Sequence, residues 1–208
     1  GCGGVGAFIL EEWRDVGASE VCVPTPVEKP RDPLRETEPE LAVPLARTDS
    51  SAEARAVFAP LCAEHDLKRC LLRAFSLAEA STQHQPGVRQ RALGQLQRFV
   101  RIHDRAEHTT VYAALLAQPR TRRLAQVAIE EHHALDAALS DLAEAVAAGA
   151  EQEIGERMGR YRDLLTVHLL REENELFPLA YQVLGSERCL RMVRRFRDVR
   201  QAAQRLEE

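Results

Sequence analysis

From about residue 50 onward, apolar residues recur every three or four positions, with charged and amide residues between them. That period marks helices that bury one side. It predicts helices over about 60–80, 88–117, 121–148, 151–183 and 187–204. Turn residues fill the gaps: Pro86-Gly87, Gln118-Pro119, Gly149 and Gly185. Ser50 and Glu53 have capping-box spacing and open the helical region. Pro60 either kinks the first helix or restarts it, and Pro178 bends or interrupts the fourth. Four long helices with short connections predict an all-α, up-down-up-down four-helix bundle. The fifth helix is expected to pack outside it or lead away.

Residues 1–48 break the pattern. Pro24, Pro26, Pro30, Pro33, Pro39 and Pro44 stand among charges, which predicts an irregular, extended arm. Gly1, Gly3 and Gly6 match GxGxxG, but no strand precedes them and Pro24 stands where a ribose-binding acid belongs. A docking arm or a remnant is expected there, not a nucleotide site. The expected organisation is therefore 1–48 arm, 50–184 bundle and 186–208 C-terminal helix.

Composition narrows the partners. The net charge is −4, and the most basic stretch, Arg191–Arg200, is interleaved with Met192, Val193, Phe196 and Val199. It reads as a basic amphipathic helix, with no nucleic-acid surface. No apolar run approaches the roughly 18 residues of a membrane span, and no secretory pattern is present. Five cysteines without a CxxC pair suggest a reducing, cytoplasmic setting. A protein partner could bind through the arm.

The chemistry lies in the spacing of histidines and glutamates. His168 and Glu172 are four residues apart, as are His103 and Glu107, so each pair shares a helix face. His65 and His132 continue apolar stripes on the other two helices. His65 is about 15 residues before the first loop and His103 about 15 after it. His103 and His132 lie about 15 and about 12 residues from the second break. His132 and His168 lie about 17 and about 18 from the third. At about 1.5 Å per residue, these mismatches are under one turn. His65, His103, Glu107, His132, His168 and Glu172 should therefore meet in one buried layer, where unpaired they would cost several kcal/mol. Imidazole and carboxylate without thiolate suit Fe, Mn or Zn. Six such ligands exceed one tetrahedral ion. They suit two iron ions per chain with an oxo or hydroxo bridge, with manganese or mixed metal as second choice.

These residues resemble the hemerythrin family in its broad bacterial form, the HHE cation-binding domain, over about 58–183. The motif from His168 through Glu172-Glu173 to Leu176-Phe177-Pro178 carries most of the likeness. Glu64-His65-Asp66, His103-x-x-x-Glu107 and Glu131-His132 resemble the motifs of the first three helices. The resemblance implies terminal His ligands, with Glu107 and Glu172 bridging two ions. The chain departs from the oxygen carriers at Asp136, where they have a second third-helix His. It also has Glu at the fourth position after His168, where they have Asp at the fifth. His108, His133 and Asp136 are left open as further ligands.

Three functions follow as expectations. The first is a di-iron protein binding O2 or another small diatomic ligand, in sensing, storage or iron and oxygen handling. The second is a di-iron enzyme acting on NO, peroxide or Fe(II), or a protein that repairs iron centres. The third is a docking bundle that metal only stabilises. Glu130, Glu173 and Glu175 are expected to be solvated or outer groups, and Tyr112 and Tyr161 to be packing residues.

Overall fold

The computed structural model describes residues 50–80 and 86–206. These lie in the compact unit Pro39–Glu208. The predicted arm, including the glycine motif and Trp13, lies outside the described residues, as does His84.

The described residues are helical apart from short connections. Helix α1 is Ser50–Ala80. Helix α2 begins as Pro86–Glu107, passes through a π-helical turn at His108–Tyr112 and ends as Ala113–Leu116. Helix α3 is Pro119–Ala148. Helix α4 begins as Glu151–Arg171, passes through a second π-helical turn at Glu172–Leu176 and ends as Phe177–Leu184. Helix α5 is Ser186–Leu206.

The helix ends follow the chain's own signals. Gln118 is extended ahead of Pro119, which occupies the first turn of α3 where no donor is needed. The Thr121 hydroxyl donates back to the Leu115 carbonyl at 2.6 Å and ties the two helices across the break. At the far end of α3, Gly149 takes φ 65°, which a side chain would resist. Its N–H donates to Val146, and that of Ala150 to Ala145, satisfying the last carbonyls.

Two expectations about proline change. Of the two readings of Pro60, the restart is excluded: it lies inside α1, which runs unbroken from Ser50. The carbonyl that loses its partner belongs to Ala56, an exposed residue whose backbone water can serve. Near Pro178 the interruption is the π-helical turn just before it, which lets α4 continue past a residue without an N–H.

Helix α1 packs along α2, and α3 along α4. The end of α4 returns to α1, and α5 covers α1, α2 and the π-turn of α2. Helix α5 buries Cys189, Met192, Val193, Phe196 and Arg200, so it packs against the other helices and does not lead away. One hydrophobic cluster joins Phe58 and Leu61 of α1, Val111 and Leu115 of α2, Leu176 and Phe177 of α4 and Phe196 of α5. Within it Phe58 stacks on Phe177 at 4.5 Å. Among the described residues, no helix is long and apolar enough to cross a membrane.

Candidate metal centre

The six predicted residues converge. His65, His103, Glu107, His132, His168 and Glu172 are each at most 1 % exposed. Their inward-facing atoms are the Nε2 of each histidine and the carboxylate oxygens. Glu107 Oε2 lies 3.1 Å from His103 Nε2 and 3.5 Å from His132 Nε2, and its Oε1 lies 3.7 Å from His65 Nε2. Glu172 Oε2 lies 3.2 Å from His65 Nε2 and 3.5 Å from His168 Nε2. The His132 and His168 Nε2 atoms are 2.9 Å apart.

Two groups of three can each surround an ion: His65, His103 and Glu107, and Glu107, His132 and His168. Glu107 belongs to both. His65 Nε2, His103 Nε2, both Glu107 oxygens and Glu172 Oε2 are buried without a hydrogen-bond partner. Native proteins rarely leave such atoms unsatisfied, because each costs the desolvation of a polar or charged group. Five of them aimed at one space fit bound metal.

Without a cation, protons serve in its place. Burial would lower the His65 imidazole, but Glu107, Glu172 and Glu173 raise it well above its ordinary value. Burial also opposes charge on His103, yet Glu107 leads a net rise. Burial would raise Glu107, but His103, His65 and Lys68 hold it well below the usual carboxylate range. His132 differs: burial pushes it down to about 4.

The outer nitrogens are held in a ring. Each carboxylate beside one of these residues in sequence faces the histidine of the next helix. Glu64 of α1 accepts from His103 Nδ1 at 2.9 Å, and Glu131 of α3 accepts from His168 Nδ1 at 3.2 Å. Glu173 of α4 closes the ring by accepting from His65 Nδ1 at 2.9 Å. A carboxylate can only accept, so Nδ1 carries the proton and Nε2 is left to face inward. An arginine anchors each acid: Arg200 Nε to Glu64 at 2.5 Å, Arg171 Nε to Glu131 at 2.7 Å and Arg69 to Glu173 at 3.0 Å.

The α2-to-α3 member is incomplete. Asp104 follows His103 and faces His132, but its Oδ2 is 3.8 Å from His132 Nδ1. The wholly buried Lys68 ammonium donates to Asp104 Oδ1 at 2.7 Å. His108 Nε2 instead pairs with His132 Nδ1 at 3.0 Å.

Each π-turn sets an aromatic ring five residues beyond a glutamate against the centre. Tyr112 follows Glu107; its ring lies 5.2 Å from that of His132, and its hydroxyl donates to Glu172 Oε1 at 2.6 Å. Phe177 follows Glu172, with its ring 5.9 Å from that of His65. Tyr112 is thus tied to the centre, where plain packing was expected. Tyr161 is buried with no hydrogen bond to its hydroxyl, as a packing residue would be. His108 sits on the outer nitrogen of His132, while His133 and Asp136 are exposed. Lys68 and Arg200 escaped sequence reasoning. An acid next to one converging residue on each helix was the visible signal for the ring.

The hemerythrin HHE cation-binding domain family matches residues 61–180, so the chain belongs to that family. No curated protein and no solved structure matches it.

Proposed function

We propose that this protein is a non-haem di-iron protein that binds O2 or another small diatomic ligand. The six converging residues are its metal ligands, and α1 to α4 form an up-down-up-down bundle around them. The single observation that carries this reading is Glu107: a buried carboxylate with two unpartnered oxygens, shared by two ligand groups. An acid so placed is costly alone and well used between two cations. The imidazole and carboxylate donor set suits iron, with manganese second. Iron, when bound, supplies the electrons and the open coordination position that O2 chemistry needs.

The chain's own residues supply the rest. The outer acids fix each imidazole tautomer and its direction. Phe99, Phe177 and Phe196 lie against His103 and His65 and keep water from that side. Cys62 and Cys189 are free thiols, in keeping with a reducing, cytoplasmic setting.

One observation favours a second reading, an enzyme that reduces NO or peroxide. The buried Tyr112 hydroxyl donates to Glu172 and lies 3.1 Å from His132 Nε2, so a proton donor stands beside the ligands. One experiment separates the two. The protein is loaded anaerobically with Fe(II), exposed to O2 and then returned to anaerobic buffer. A new absorption band that appears and then vanishes supports binding. Irreversible oxidation supports the enzyme, and no response to O2 contradicts both.

A further inference from the structure

Three of the four ligand histidines are backed by a carboxylate and an arginine; His132 is backed by an imidazole. A carboxylate on Nδ1 raises the basicity of the ligand nitrogen, and losing such a partner typically costs 10–100-fold in metal affinity. The geometry around Asp104 explains the exception. Asp104 is the acid that should complete the ring, but it is one carbon shorter than glutamate and Lys68 holds it away.

The same place opens on a cleft. This cleft of about 450 Å³ between α2 and α3 is lined by Asp104, His108 and Asp136, with Arg101 and Arg105 beside them. Asp104 and His108 are the two side chains that face His132 Nδ1. None of Glu64, Arg200, Glu173 or Arg69, which back His65 and His103, lines it. Asp104 is 7 % exposed and its Oδ2 has no hydrogen-bond partner, so one unpartnered carboxylate oxygen stands at the inner end while Lys68 holds the other. Asp136 is an exposed carboxylate on the same wall.

We infer that the two cation positions are unequal: the one at His65 and His103 is retained, and the one at His132 and His168 exchanges a divalent transition-metal cation through the Asp104–His108 cleft. This rests on the proposed metal centre. Asp136 and the unpartnered oxygen of Asp104 offer cation-binding oxygens along this wall, and the His108–His132 contact stands at its inner end. The protein then holds one ion firmly and gives up or takes the other.

The test adds Co(II) stepwise to the metal-free full chain, followed by its visible absorption, and then removes it with a chelator. Two steps are expected, the second at least about ten-fold weaker, with one equivalent stripped well before the other. His108→Ala should weaken only the second step, by about ten-fold or more. Asp104→Glu, which lengthens the acid toward His132, should tighten only the second step. Equal affinities and simultaneous loss in the wild type would overturn the inequality while leaving the centre intact, as would His108→Ala acting on the first step. Failure to bind any cation would instead overturn the metal centre itself.

Discussion

Tyr112 donates its hydroxyl to Glu172 Oε1 at 2.6 Å, which leaves Oε2 as the one oxygen of Glu172 turned between His65 and His168. Glu107 has no such partner and keeps both oxygens inward. The two glutamates occupy equivalent places in their motifs but have unequal freedom. Tyr112→Phe removes the donor and leaves a buried carboxylate oxygen unpaired. The metal-free protein should lose about 1–3 kcal/mol by urea unfolding. Metal stoichiometry should not change, because the phenol positions a ligand and is not counted as one. A loss of metal would contradict that assignment.

Lys68 and Asp104 form a second dependence. Lys68→Met leaves Asp104 buried beside other acids without its cation, a change that typically costs about 3–5 kcal/mol. The double variant Lys68→Met with Asp104→Leu replaces both charges by apolar groups and should recover most of the loss. Urea unfolding of the metal-free single and double variants checks the pair. Equal losses in both would show that the packing, and not the charge, matters.

Arg200 brings α5 into the centre, through Glu64 to His103 and by lying 5.2 Å over the Phe99 ring. Residue 200 lies beyond the stretch matched by the family. Arg200→Ala should lower affinity at the His103 position by about ten-fold, and Arg200→Lys should restore part of it by keeping the charge. Stepwise Co(II) binding to both variants measures this. Equal affinity in wild type and Arg200→Ala would detach α5 from the site.

Metal uptake should release protons. In the metal-free protein the neighbouring carboxylates raise His65 well above its ordinary 6.5 and raise His103 as well. A protonated Nε2 cannot bind a cation, so affinity should rise with pH as these groups lose their protons. The same shift has the opposite effect on the metal-free fold. Its stabilising contribution is full below 6.5 and is lost as pH rises through the raised value. Co(II) affinity and metal-free unfolding measured from pH 6 to 8 should therefore run in opposite directions. Affinity independent of pH would contradict the proton-for-cation exchange.

The five helices and the meeting of four histidines could be read from periodicity, because helix faces and rise are fixed by backbone geometry. The ring of outer acids was present in sequence but pointed elsewhere. Glu64, Glu131 and Glu173 each adjoin one of the converging residues, yet one position along a helix turns the side chain about 100°, toward the neighbouring helix. Each therefore serves a histidine distant in sequence. The π-turns were hidden because they depend on packing around Glu107 and Glu172 more than on any local composition. Lys68 looked like a solvated charge, and only the fold shows it enclosed with Asp104.

The proposed sharing of Glu107 by two cations makes iron content the decisive quantity. Equilibrium dialysis of the full chain against excess Fe(II) under anaerobic conditions, followed by elemental analysis, tests it most directly when Glu107→Gln is carried alongside. Two irons per chain in the wild type, and fewer than one in the variant, are expected. One iron or none in the wild type, or two retained by Glu107→Gln, would show that Glu107 is not shared by two cations.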